Sequence, residues 1–204
     1  CIIMGYRKVP HVHYNEIIHD VCVEYKSVLK YLSGKNIDAS RVIIMGSSAG
    51  AHLGSLLVYD KELHAKYKIG SKRFVGFIGL AGPYYFGGKL PWALKQLLSD
   101  LFEKDQDWKE GEPYTKLDLI NPDDYELSIP MYLIQSDHDG VIDMKQTLVF
   151  ARKAMEMNIP VTFYKVVDSK NTHSYYSTAI FFDDLAKNKT LQTVFKYIDQ
   201  LTND

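Results

Sequence analysis

Gly46-Ser47-Ser48-Ala49-Gly50 stands between an apolar run, Arg41-Val42-Ile43-Ile44-Met45, and a stretch from Ala51 to Tyr59 that continues as a helix. A strand, a sharp turn and a helix with a serine at the turn is the layout of a nucleophile elbow, G-x-S-x-G, in which the flanking glycines let a strained backbone pass close to its neighbours. Ser48 is then the nucleophile, and the backbone N–H of Ala49, at the start of the helix, is placed to bond a developing oxyanion. A Gly/Ser-rich turn after a strand can also cradle a phosphate. That reading is the poorer one here, because no Lys follows Gly50 as a P-loop demands and no G-x-G-x-x-G is present.

A serine hydroxyl is a weak nucleophile at neutral pH. It needs a base, usually histidine, and the imidazole needs a carboxylate that fixes its tautomer and compensates its charge. The run Met131-Tyr132-Leu133-Ile134-Gln135 leads into Ser136-Asp137-His138-Asp139-Gly140, so two carboxylates, Asp137 and Asp139, follow one strand end. Either could orient a histidine, and either could simply cap the next helix. The last strand-like run, 161–167, is followed by a polar loop carrying His173. The chain order is therefore Ser, Asp, His. Of the other histidines, His11, His13 and His19 have a spacing that can bind zinc, but the segment leads into a helix, and no metal is expected. His52 falls within the helix after the elbow and is expected to be packed or bonded to backbone, and His138 is expected to face solvent.

The elements that must position these groups alternate. Short β-branched runs at 1–4, 41–45, 74–80, 131–135 and 161–167 read as strands, and the amphipathic stretches between them imply βαβ units and a largely parallel sheet. Residues 16–32 place Ile17, Val21, Tyr25, Val28 and Leu32 on one helical face. Residues 144–157 form a helix behind an Asp143 cap, and 185–201 form a final helix. The segment 83–128 breaks the rhythm, with Tyr84, Tyr85, Phe86, Trp92, Trp108 and Tyr114 among Gly, Pro and charges where a simple connection needs far fewer residues. It reads as an insertion, helical around 92–102, whose aromatics either shape a lid or pocket wall, with Tyr84 as its substrate contact, or pack the insertion onto the body. No second domain is indicated over 1–204.

With 204 residues, 46% of them hydrophobic, and a net charge of −1, the chain can bury a sizeable core. Acidic and basic residues nearly cancel and no Lys/Arg block occurs. Neither nucleic acid nor a membrane is therefore an expected partner, and a small-molecule substrate is. Two cysteines give no disulfide framework and point to a reducing, cytoplasmic location. No run approaches a membrane span, and no symmetric patch reveals an oligomeric state.

Taken together these motifs resemble the α/β-hydrolase fold, in its hormone-sensitive-lipase-like and acetyl-esterase-like branches. Tyr6-Arg7 through Pro10 resembles the Y-R-x-x-P after the fourth strand of those enzymes, and Asp38-Ala39-Ser40-Arg41-Val42 resembles their entry to the elbow strand. Ser48-Ala49-Gly50-Ala51-His52-Leu53 is similar to their S-A-G-[GA]-H-L, a form also found in arylformamidases and prenylcysteine methylesterases. Asp139-Gly140-Val141-Ile142 matches the D-x-V-[VI] segment that carries the family's acid, which favours Asp139 over Asp137, and Thr172-His173-Ser174 matches the histidine segment. The Ser, Asp, His order is also the order of that fold. The resemblance implies a mostly parallel sheet flanked by helices with an insertion after the sixth strand. It implies a carboxylesterase-type serine hydrolase acting on short-chain acyl esters such as acetylated sugars or feruloyl-type esters, with no cofactor. An arylformamidase or peptidase on the same triad, or a non-catalytic member of the fold, are the alternatives. Two departures stand out: Gln135-Ser136 replaces the usual His-Gly before the acid, and no H-G-G-type oxyanion loop occurs upstream, so the native N-terminal strands are expected to be missing.

Overall fold

A computed structural model of the chain describes residues 1–104, 107–123, 128–167, 173 and 184–203. Its centre is a four-stranded parallel sheet in the order β1 (Val42–Ser47), β2 (Phe74–Leu80), β3 (Met131–Ser136), β4 (Val161–Val166). Chain order and spatial order coincide, so each strand is joined to its immediate neighbour by a crossover connection, as parallel pairing requires. β2 and β3 lie between neighbours and are almost wholly buried, whereas β1 and β4 are only partly covered. This is why β2 and β3 read as continuous apolar runs rather than as alternations.

The period of two along those strands splits the interior into two layers. Phe77, Met131 and Leu133 face the larger core, which collects the helices α1 (Tyr14–Gly34), α2 (Ala49–Tyr59), α3 (Lys61–Tyr67), α4 (Trp92–Leu101) and α6 (Met144–Glu156). Ile78, Leu80, Tyr132 and Ile134 face the other side and pack against Val194 and Tyr197 of the C-terminal helix, α7 (Lys189–Asn203). The rings of Tyr132 and Tyr197 lie 4.6 Å apart. α1 buries Ile17, Val21 and Tyr25, as its helical spacing predicts, and adds Ile18 and Cys22. The Asp143 carboxylate accepts from Lys145 N–H at 2.8 Å and so caps α6.

Residues 1–4, expected as a strand, are not one. They carry no ladder hydrogen bonds, and Ile3 is 93% exposed. Four apolar residues have β propensity, but a strand exists only through a partner, and none of the described strands pairs with them. Two of the three N-terminal histidines have partners in other helices. His13 Nδ1 lies 3.2 Å from Asp100 O and His19 Nδ1 3.1 Å from Tyr67 Oη.

Within 83–128 the described elements are α4, a short 3₁₀ turn at Trp108–Gly111, α5 (Pro113–Lys116) and a second turn at Leu117–Leu119. The segment is bolted to the body from several sides. Leu94, Leu98, Phe102 and Leu117 are buried, Lys116 Nζ reaches Asp60 and Glu62 at 3.4 and 2.6 Å, and Lys153 pairs with Asp118. Tyr84, expected as a substrate contact, is part of this anchoring. It has no exposure, and its ring stacks on Phe150 with centroids 4.6 Å apart. No helix among the described residues is long and apolar enough to cross a membrane.

Candidate functional site

The carboxyl ends of β1, β3 and β4 bring three side chains together. β1 ends at Ser47, and Ser48 takes φ 52° and ψ −118°, a left-handed conformation that a non-glycine residue holds only at a cost of about 1–3 kcal/mol. The Ser48 N–H donates to Leu80 O at 2.8 Å, tying the turn to the end of β2. α2 starts at once, and Ala49 N–H is the first of its N-terminal amides, which have no acceptor within the helix.

The two flanking glycines are not equivalent. A Cβ on Gly46 would stand 2.2 Å from Gly50 O and 2.6 Å from Ala51 N, whereas one on Gly50 would meet nothing within 4 Å. The turn therefore needs the bare backbone at Gly46, against which residue 50 folds back, and not at Gly50. Gly46→Ala is expected to destabilise the protein at or above the ~1–3 kcal/mol usual for overpacking, since the clashing atoms are backbone. Gly50→Ala should unfold within about 1 kcal/mol of wild type. Chemical denaturation of both variants checks this, and equal losses would contradict the assignment.

Ser48 Oγ lies 2.9 Å from His173 Nε2, and His173 Nδ1 lies 2.8 Å from Asp139 Oδ2. An ionised carboxylate can only accept, so Nδ1 carries the proton and Nε2 is left as the acceptor for the serine hydroxyl. The Asp139 side chain has no exposure and that of His173 is 16% exposed. The other carboxylate oxygen of Asp139 accepts from Val141 N–H and Ile142 N–H, both at 2.8 Å, which fixes its plane toward the histidine. Asp137 points elsewhere. It contacts His138 Nδ1 at 2.6 Å and Lys165 Nζ at 3.0 Å, and the Lys165 ammonium in particular holds its carboxyl below the ordinary range.

One participant is not legible as such in the sequence. Gln135, fully buried, donates from Nε2 to Asp139 Oδ2 at 3.3 Å and to Ile142 O at 2.9 Å, while its Oε1 accepts from Thr147 Oγ1 at 3.1 Å. Its amide is thereby locked with the donor side toward the carboxylate. Gln135 supplies a hydrogen bond to the Asp139 carboxylate. The available signal was a polar residue ending an otherwise apolar strand, Met131-Tyr132-Leu133-Ile134-Gln135.

Beside Ser48 opens a cavity of about 400 Å³ lined mainly by apolar side chains. Phe86, not Tyr84, represents the aromatic stretch there. His52, one turn along α2 from Ser48, borders it but is only 3% exposed, and its Nε2 lies 2.6 Å from Gly111 O. Burial pushes its pKa down to about 4, with the Gly111 bond opposing the shift. A neutral buried imidazole with a folded-state pKa below the unfolded value near 6.5 contributes stability that is complete above pH 6.5 and is lost as the pH falls toward 4. The loss should be on the order of 2–3 kcal/mol across that window. The slope of unfolding free energy against pH between 6.5 and 4.5 should be shallower in His52→Gln, and an unchanged slope would remove His52 as its source.

A family model for the alpha/beta hydrolase fold matches residues 1–139. No curated protein sequence matches the chain. Among solved structures, a truncated form of a carbohydrate esterase from gut microbiota superposes with TM-score 0.72 at 15% identity, covering 98% of this chain and 73% of that one. Esterase B from Lactobacillus Rhamnosis gives TM-score 0.71 at 18% identity over 98% of this chain and 65% of that one. Thermogutta terrifontis esterase 2 gives TM-score 0.70 at 17% identity over 97% and 70%. The chain thus spans from about two thirds to three quarters of the length of these structures. At such identities the likeness is one of fold.

Proposed function

The chain belongs to the α/β-hydrolase fold family, and from that premise we propose that it is a carboxylesterase-type serine hydrolase acting on small-molecule esters through Ser48, His173 and Asp139. The observation that carries this reading is the continuous pair of hydrogen bonds, Ser48 Oγ to His173 Nε2 at 2.9 Å and His173 Nδ1 to Asp139 Oδ2 at 2.8 Å.

Ser48 Oγ attacks the ester carbonyl carbon while its proton passes to His173 Nε2. The carbonyl oxygen becomes an oxyanion, and Ala49 N–H, at the positive end of α2, is the donor this chain offers to it. Collapse breaks the bond to the alcohol, which leaves with the proton from His173, and the acyl group remains on Ser48. Water then repeats the sequence, with its proton going to His173 and returning to Ser48 Oγ as the acid departs. Asp139 holds the ring in one tautomer throughout and stabilises the transient imidazolium. No step calls for a metal or cofactor. The same relay can act on an amide, as in an arylformamidase or peptidase, and parallel rates on an ester and the matching anilide separate those readings. The segment 83–128 is read as a wall of the site within a single domain, through Phe86 and α4.

The test is labelling with a fluorophosphonate, which phosphonylates an activated serine, followed by peptide mapping. An adduct on Ser48 that forms at neutral pH and is suppressed when ester substrate is present supports the proposal. Absence of an adduct on the folded protein, or an adduct confined to another serine, overturns it.

A further inference from the structure

The cavity beside Ser48 has a direction. In the acyl-transfer sequence the leaving alcohol must take its proton from His173 Nε2, so it lies on the His173 side of Ser48, and the acyl chain extends away from it. Among the described residues the cavity is lined by Ser48 and Ala49 but not by His173. An acyl chain carried on Ser48 and directed away from His173 would enter it.

The chemistry of its walls is set by α4. Along this helix, Leu94, Leu97, Leu98 and Leu101 recur at the three- and four-residue spacings that place them on one face, and all four line the cavity, facing Phe86 and Ile142. The polar side chains that reach the same space besides Ser48 are Tyr6, Lys8 and His52. His52 already engages Gly111 O, and Lys8 is exposed at the rim. An acetyl group would leave most of about 400 Å³ of apolar space without contact, whereas a longer chain would exchange water for leucine side chains over its length. We propose that the leucine face of α4 is the specificity determinant for the acyl group, and that the enzyme selects an unbranched aliphatic acyl chain of medium length, hexanoyl over acetyl.

This inference rests on the esterase reading, and the experiment separates the two. Values of kcat/KM are measured for p-nitrophenyl acetate, butyrate and hexanoate with the wild-type chain, with Leu97→Asp and with Leu119→Asp. Leu97 is 50% exposed in place, so a charge there is accommodated by the fold while facing the cavity, and Leu119 is an exposed leucine outside it. The expected result is a rise of about four-fold per added methylene in the wild type. In Leu97→Asp the hexanoate-to-acetate ratio should fall at least ten-fold, and in Leu119→Asp it should match wild type. Turnover that is flat or falls with chain length, or a ratio unmoved by Leu97→Asp, overturns the acyl pocket and leaves the esterase standing. If no ester is turned over and Ser48 takes no phosphonate, the esterase reading falls. The pocket is then judged by unreactive hexanamide against acetamide: a thermal shift with hexanamide alone that Leu97→Asp abolishes upholds an aliphatic site, and no shift overturns it.

Discussion

Replacing Ser48 by alanine is expected to lower kcat for p-nitrophenyl esters by on the order of 10⁶-fold, to a residue attributable to binding and the Ala49 N–H. The size follows from how the two hydrogen bonds depend on each other. Without Oγ there is no acyl-enzyme, and His173 has no nucleophile to deprotonate, so the remaining pair of His173 and Asp139 can at best assist direct attack by water. For the same reason His173→Ala added to Ser48→Ala should cost almost nothing further. Groups that act as one unit are not additive, whereas independent contributors would multiply. The fold should survive, since alanine at φ 52° is strained no more than serine there, and the Ser48 N–H bond to Leu80 O involves backbone alone. Pre-steady-state and steady-state rates on the single and double variants provide the check. Retention of more than a tenth of wild-type kcat in Ser48→Ala would remove it as the nucleophile.

What was legible in the sequence was whatever local chemistry decides. β2 falls at Phe74–Leu80 as its apolar run predicts, and the helix after β3 begins at its Asp143 cap. The elbow is the extreme case, because a strand, a forced left-handed residue and a helix start are all encoded within a dozen positions. What was not legible depends on partners distant in sequence. Residues 1–4 have the composition of a strand, but strand formation belongs to a pair, and nothing in four residues specifies the neighbour. Tyr84 and Phe86 are two residues apart in one aromatic stretch, yet Phe150 claims the first for the core and the cavity receives the second. Glycine at 50 carries the motif, but only the fold shows that the crowding it relieves is felt at Gly46. Gln135 is the clearest instance. Its identity is plain, but its effect comes from Thr147, twelve residues on, which turns its donor toward Asp139.

The two aspartates after β3 give the second large expected effect, because they are equivalent by composition and distance along the chain and opposite in environment. Asp139→Asn is expected to lower kcat about 10⁴-fold. Asparagine fits the same space, and its carbonyl oxygen can still accept from Val141 and Ile142, where Asp139 Oδ1 accepts at 2.8 Å. The remaining group is then an NH₂ directed at His173 Nδ1, a donor where an acceptor was. The imidazole responds by carrying its proton on Nε2, where it can no longer accept from Ser48 Oγ, and the compensation of the imidazolium charge is lost together with the tautomer. Raising the pH should restore part of the rate in this variant, because hydroxide can take over removal of the serine proton, and wild type should show no comparable gain. Asp137→Asn, by contrast, gives up an exposed pair with Lys165 and His138, interactions that water and salt largely screen, and should stay within about two-fold of wild type. The comparison is made on kcat at fixed pH with both variants shown to be folded by circular dichroism. A loss concentrated in Asp137→Asn would reassign the acid and with it the direction in which His173 is held.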